Sequence, residues 1–340
     1  MNATSRHAGR SATSGPVSAG NGMLARLPGL ARKAAPLIVL LVLCLALGII
    51  SPNFLSINNL ARIASASAIP LVLALGATFV ILLGSIDLSV EGVMALAAVV
   101  LASLVFNDPS WVASLAGIAA AIAVGAAIGT VSGLLHVVLR IPSFMVTLGM
   151  WFIGLGLATL LVGGGTIAIR EAAVRGFALT RFGGLPISVW IALAALFVAW
   201  VVQNHTRLGR HIYAIGGGEE IAALSGVSIL RTKLLVFAIA GAFYGLGALL
   251  AAAQLGQANA DMGTGRLFVT ITAVVVGGTS LLGGQGGVLN SLVGVLIVSV
   301  LSNGMVLMGI PPYLQQAVLG LMIIGAVASA TRHARFKIVK

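Results

Sequence analysis

The sequence predicts an all-α fold: a polytopic transmembrane helix bundle of about ten spans with cytoplasmic termini. Three observations carry that expectation. Of 340 residues, 59% are hydrophobic and 8% charged, against about 45–50% and 25% in a soluble domain. The chain therefore lacks the polar surface that a water-soluble fold of this size requires. Its apolar runs are continuous, as in 68–83 and 234–253, whereas a membrane barrel alternates over strands of about ten residues. A helix satisfies its own backbone N–H and C=O groups, as lipid demands. Roughly 200 hydrophobic residues at about 20 per span limit the count to about ten. Finally, the basic residues divide unevenly between the two sides that alternating spans define.

The elements follow in order. Residues 1–33 are rich in Gly, Ser, Ala and Arg without an apolar period, and read as a disordered basic cytoplasmic tail. The first span, about 34–50, reads as an uncleaved signal anchor, because the tail before it is long and no Ala-x-Ala site follows. It holds the one cysteine, Cys44, a small packed residue in this reading, since a lone thiol forms neither a disulfide framework nor a metal site. Further spans are expected at about 68–84, 90–106, 112–139, 143–163, 187–202, 234–253, 267–282, 288–309 and 313–331. The membrane domain thus covers 34–331, with a cytoplasmic loop at 203–233 and a second basic tail at 332–340. The spans at 187–202 and 267–282 are short, and read as tilted or partly re-entrant. With the termini inside, fourteen of the 19 Lys and Arg residues fall on the cytoplasmic side. Arg62, Arg170, Arg175, Arg181 and Arg266 fall outside, the bias that the positive-inside rule describes. The net charge of +12 lies in tails and short loops rather than on one face with interleaved aromatics, so no nucleic-acid partner is expected.

The glycines divide into two groups. Gly125, Gly129 and Gly133 lie four apart, and Gly241 and Gly245 form a second pair; such small faces let helices pack closely where no hydrophobic drive exists between them. The stretch 277–287 is instead too flexible and polar for a plain span, and reads as a helix end, a tight turn and a new helix start. It has no Lys-Ser or Lys-Thr after it, so it is not a Walker A loop.

The seven acids are few enough to take singly. Asp87, Ser89 and Glu91 line either a translocation path at a helix break or a helix start, with Asp87 as N-cap and Glu91 one turn on; the cap is the favoured reading of Asp87. The largest outer loop, about 164–186, carries Arg170 and Arg175, which read either as solvated charges or as a docking surface for an external partner. The loop 203–233 is far longer than a helix-to-helix turn needs. Within it, 216–226 looks like a short capped helix: glycines through Gly218 precede it, Glu219 and Glu220 occupy its first turn, Ala222 and Ala223 follow, and Gly226 stops it. Such a helix suits docking into a groove of a soluble partner; the alternative is a helix lying on the membrane lipid.

Several stretches in order carry a family resemblance: Ile86-Asp-Leu-Ser-Val90, Ile141-Pro-Ser-Phe-Met-Val-Thr-Leu-Gly149, Gly209-Arg-His-Ile-Tyr-Ala-Ile-Gly-Gly217, Ala222-Ala-Leu-Ser-Gly226, Gly277-Gly-Thr-Ser-Leu281 and Tyr313-Leu-Gln-Gln316. Over about 54–328 the chain resembles the permease subunit of ribose-type ABC importers. The resemblance implies a multi-pass protein of the cytoplasmic (inner) membrane, working as a homodimer or pseudo-dimer. It also implies partner ATP-binding subunits that hold ATP and Mg, and an external solute-binding protein that selects a sugar or related polar solute. The loop helix becomes the coupling helix, carried onto Gly218, Glu219, Glu220, Ala222, Ala223 and Gly226. Ser85 and Glu91 depart from the family's usual Gly-Gly-Ile-Asp-Leu-Ser-Val-Gly, where both positions are glycine. No catalytic residue, resident cofactor or metal site is expected in this chain. The main alternative is an ion-coupled secondary carrier, for which Asp87 and Glu91 supply the intramembrane charges; a membrane-embedded enzyme lacks the His partners or Asp repeat it would need.

Overall fold

The computed structural model describes residues 29–107 and 110–335. Most of the two basic tails expected at 1–33 and 332–340 therefore lies outside the described residues. The chain divides into a first compact unit, Met1–Ala35, and a second, Pro36–Lys340, which holds the helical bundle.

Thirteen helices run in order among the described residues: α1 Gly29–Ile50, α2 Ile57–Leu82, α3 Val90–Asn107, α4 Trp111–Val138, α5 Ser143–Val162, α6 Ala172–Leu179, α7 Ile187–His205, α8 Arg207–Gly217, α9 Glu219–Leu224, α10 Ile229–Leu255, α11 Arg266–Val276, α12 Val288–Leu307 and α13 Pro312–Arg335. Two small antiparallel pairs accompany them. β1 (Ile167–Ala168) pairs with β4 (Gln257–Ala258), and β2 (Arg181–Phe182) pairs with β3 (Leu185–Pro186). The protein is thus a helical membrane protein, and each expected apolar segment has a helix at its place, although the one expected at 267–282 is helical only to Val276.

Length is where expectation and structure part. Among the described residues, six helices are long and apolar enough to cross a membrane: α2, α4, α5, α7, α10 and α12. The other apolar stretches, Ala34–Ile50, Val90–Phe106, Arg266–Val276 and Pro312–Gly325, are shorter, so ten full-length spans are not found. At 11 residues, α11 is about 16 Å long against a hydrocarbon core of about 30 Å. Hydropathy predicts that it reaches residue 282, but Gly278 adopts φ 98° and ends it early. Conversely, α2 opens eleven residues before the expected 68, because Ser56 caps it by accepting the Asn59 N–H. The expected loop at 203–233 is mostly helix, made of α8, α9 and the first turn of α10.

Packing separates a dry centre from an apolar exterior. The centre is α2, α3 and α10, with Val72, Leu73, Leu75, Met94, Leu101, Phe237 and Leu250 buried. On α5 and α7, Phe152, Leu160 and Phe197 are exposed; in water such faces would aggregate, and in lipid they cost nothing. The longest close-packed joint is α4 against α10. A Cβ on Gly129 would lie 2.0 Å from the Phe237 carbonyl oxygen, and one on Gly241 2.0 Å from that of Gly125. Only glycine allows backbones so close, which accounts for the four-residue spacing.

Candidate coupling and translocation sites

The helices α8 and α9 are built from short-range capping. Thr206 accepts the Gly209 N–H to open α8, and the extended Gly218 separates α8 from α9. Gly226, at φ 83°, closes α9: its N–H donates to Ala223 O, and the Val227 N–H to Ala222 O. This left-handed closure satisfies the orphan carbonyls at a helix end. On α9 the neighbouring acids diverge. Glu219 turns back onto Lys233 of α10, whose Nζ donates to both its oxygens at 2.9 and 2.8 Å. Glu220 faces solvent, with Ile221 and Leu224 beside it at 71% and 89% exposed. Ala222 is buried and Ala223 exposed. Sequence alone does not single out Ile221 and Leu224, because an apolar residue near a helix end reads as packing.

Lys233 is itself buried and reaches further. Its Nζ lies 3.3 Å from His136 Nε2 near the end of α4, and His136 Nδ1 lies 2.7 Å from Ile141 O. A carbonyl only accepts, so neutral His136 carries its proton on Nδ1 and presents Nε2 as acceptor to the ammonium. Two residues on, Ser143 Oγ accepts the Ile86 N–H and Thr147 Oγ1 accepts the Leu88 N–H. A chain of contacts therefore runs from α9, through α10, α4 and the start of α5, to the segment that holds Asp87.

That segment is irregular over 85–88 and leads into α3. The sequence favours Asp87 as the N-cap, but Ser89 occupies that place, its carbonyl taking the Val93 N–H at 2.9 Å. Asp87 instead braces the cap from two residues earlier: Oδ1 accepts both the N–H and the hydroxyl of Ser89, at 2.8 and 2.6 Å. This is an Asx-type turn, in which the aspartate side chain accepts the backbone N–H two residues on and so fixes the residue that starts the helix. Asp87 Oδ2 and the Tyr244 hydroxyl of α10 are both buried without a hydrogen-bond partner. Asp87 also lines a cavity of about 110 Å³ with Ala77, Ile81, Ile86, Ile271 and Leu281. Glu91 stands in the first turn of α3 as expected. Its Oε1 nevertheless serves another helix, accepting the Leu267 N–H at the start of α11, 3.1 Å away. A carboxylate there meets the positive end of the α11 dipole.

Glycines knit the ends of α2 and α8 to the 277–287 stretch. Gly284 N–H donates to Leu82 O, and a Cβ on Gly216 would lie 1.9 Å from that same oxygen. Tyr213 of α8 donates to Gly286 O at 2.7 Å, and burial pushes its hydroxyl above the usual phenol range, keeping it a donor. The stretch 277–287 is thus a turn, as its composition predicts, fixed onto α2 and α8. At the opposite end, Arg175 Nη1 caps α10 by donating to Ala253 O and Gln254 O at 2.6 and 3.2 Å, while Arg170 is exposed. Among the described residues no group of three His, Cys, Asp or Glu is placed to hold a metal.

Six helices long and apolar enough to cross a membrane, among the described residues, define a multi-pass helical membrane protein. Comparison with known proteins places it further. Residues 59–327 match the family described as branched-chain amino acid transport system / permease component. The ribose import permease protein RbsC of Escherichia coli K12 is 39% identical over 295 residues, covering 86% of this chain and 91% of that protein. The galactose/methyl galactoside import permease protein MglC of the same strain is 35% identical over 317 residues, covering 88% and 94%. The probable ABC transporter permease protein YphD, also of that strain, is 36% identical over 294 residues, covering 86% and 87%. No solved structure matches. The chain belongs to this family of transport permeases, and is a multi-pass protein of the cytoplasmic membrane.

Proposed function

We propose that this chain is the membrane-spanning subunit of an ATP-driven importer that moves a sugar or related small polar solute inward. It works with ATP-binding subunits, which hold ATP and Mg, and with an external solute-binding protein that delivers the cargo. The observation that carries the reading is α9. It presents Glu220, Ile221 and Leu224 outward, while Glu219 ties it to Lys233 on the central helix α10. A surface helix with an exposed apolar pair and a fixed inner anchor is built to receive a push. Inverting a 1:99 population of inward- and outward-facing states takes about 5.5 kcal/mol of differential binding, which the partner's nucleotide supplies.

The topology in this reading has ten crossings and both termini in the cytoplasm, the short apolar helices crossing only part of the bilayer or at a tilt. Two copies form the pore, lipid surrounds α5 and α7, and Arg170 on the outer loop meets the binding protein. The test replaces Glu220 by Lys and Gly226 by Trp, then measures labelled ribose and galactose uptake and co-purification of the ATPase. Loss of both in normally inserted protein is expected. Uptake and association that both persist would overturn the reading.

A further inference from the structure

We infer that Arg62, Ser299, Ser302 and Asn303 form a binding subsite for a neutral polyhydroxylated solute, in a groove between α2, α11 and α12. The inference rests on the importer reading and goes beyond it by assigning the residues that meet the cargo. The groove has a volume of about 310 Å³ and includes Pro70 and Val269 in its apolar wall. That is the small end of the roughly 300–1,000 Å³ typical of ligand pockets.

Its hydroxyls differ from most others in the bundle. Ser65, Ser67, Thr78 and Ser132 each donate back to the carbonyl four residues earlier, the usual way a helix hides a hydroxyl in an apolar surround. Ser299 and Ser302 make no such bond, and Arg62 has no hydrogen-bond or acidic partner among the described residues. Asn303 is held in place by a reciprocal amide pair with Asn59, at 2.9 and 3.0 Å. The cluster thus offers a fixed amide, two free hydroxyls and a fork of five guanidinium donors. Left against lipid, an open guanidinium and two open hydroxyls would be costly, so this wall meets water or cargo. No carboxylate lines the groove, which disfavours cations. Hydroxyls that both donate and accept, next to donors in a fork, match vicinal hydroxyls on a sugar or polyol.

The test uses thiol accessibility in the full-length permease reconstituted without ATPase, so that it reads the groove independently of α9 coupling. Cys44 is replaced by Ser and Ser302 by Cys. A membrane-impermeant thiol reagent should label S302C. Ribose, galactose or ribitol at millimolar concentration should slow labelling several-fold, and the same concentration of acetate should not. Adding Arg62→Met should raise the protecting concentration at least about tenfold, the loss of one charged hydrogen bond, while Arg62→Lys should retain protection. Absence of labelling, equal protection by acetate, or no protection by any of the three solutes would each overturn the assignment. Loss of ATPase association in the α9 variants with protection intact would leave this subsite standing and strike only the coupling surface.

Discussion

The α4–α10 joint and helix α9 sit at the two extremes of packing in this protein. In the joint, Gly125, Gly129, Gly241 and Gly245 bring backbones into direct contact, so nothing can move without moving both helices. On α9, large apolar side chains stand in the open, and six residues are held by one ion pair and two glycines. Lys233 belongs to both regions, being buried on α10 and bonded to Glu219 on α9. The contrast teaches a division of labour: a rigid lever that converts a local push into a helix displacement, and a soft contact that receives it. Each region can be broken separately, and the sizes of the effects should differ accordingly.

The largest effect is expected in the joint. Gly129→Val puts branched carbon where a Cβ alone already lies 2.0 Å from Phe237 O. The backbone cannot rotate away as a side chain would, so the helices must part. A loss of about 3 kcal/mol or more is expected, at the upper end for overpacking, read as a fall in detergent thermal stability and loss of monodisperse protein. Unchanged stability would mean that the joint is looser than its glycines indicate.

Next comes the core side of α10, where Tyr244 faces the Asp87 segment. Asp87→Leu removes both bonds to Ser89 and leaves buried donors unpaired, costing about 1–3 kcal/mol. Asp87→Asn keeps the oxygen that braces Ser89 and should cost less than about 1 kcal/mol while preserving solute uptake. Uptake abolished by Asn, and dependent on a proton gradient in the unaltered protein, would instead favour the carrier reading of Asp87 and Glu91.

At the seam, Lys233→Met should cost about 0.5–1 kcal/mol. Glu219 is half exposed and regains water when its partner goes, so the pair is worth little as stability. Uptake should fall far more than stability does, and combining it with Glu219→Gln should add almost nothing, since both break one link. Full additivity of the two in uptake assays would show that the ion pair does not carry the motion.

Much of this contrast is legible in the sequence. Apolar runs locate the membrane-length helices but not α6 or α8, and the four-residue glycine spacing announces the α4–α10 contact, because both signals are periodic and local. The short helix with acids in its first turn and Gly226 at its end is legible for the same reason. What is not legible depends on partners distant in the chain. Glu219 and Glu220 are indistinguishable as neighbours until Lys233 selects one, and Glu91 reads as a first-turn charge on its own helix although it serves Leu267, 176 residues away. The stretch Arg207–Gly217 reads as loop because its glycines are poor helix formers. The fold overrides that propensity by fitting Gly209 against Gln203 O and Gly216 against Leu82 O. Span counting fails at α11 because an apolar stretch marks a helix without fixing that it is long enough to cross, and the backbone turns at Gly278, where the composition of 277–287 already announces a turn.

The smallest effect on stability, and the sharpest on partnership, is expected at the tip of α9. Leu224 is 89% exposed, so Leu224→Ser removes almost no buried surface and should change stability by less than about 0.5 kcal/mol. If α9 enters a groove of the ATPase, that same side chain becomes buried on assembly. Its loss should then weaken association by about tenfold or more, as truncating an apolar anchor at an interface centre does. Titrating the purified ATP-binding subunit against the permease in nanodiscs reads this directly, and Ile221→Ser gives an independent copy of the measurement. Thermal stability held constant while affinity drops would set α9 apart from the joint as a contact surface. A stability loss as large as that of Gly129→Val, or an unchanged affinity, would erase the distinction on which the lever rests.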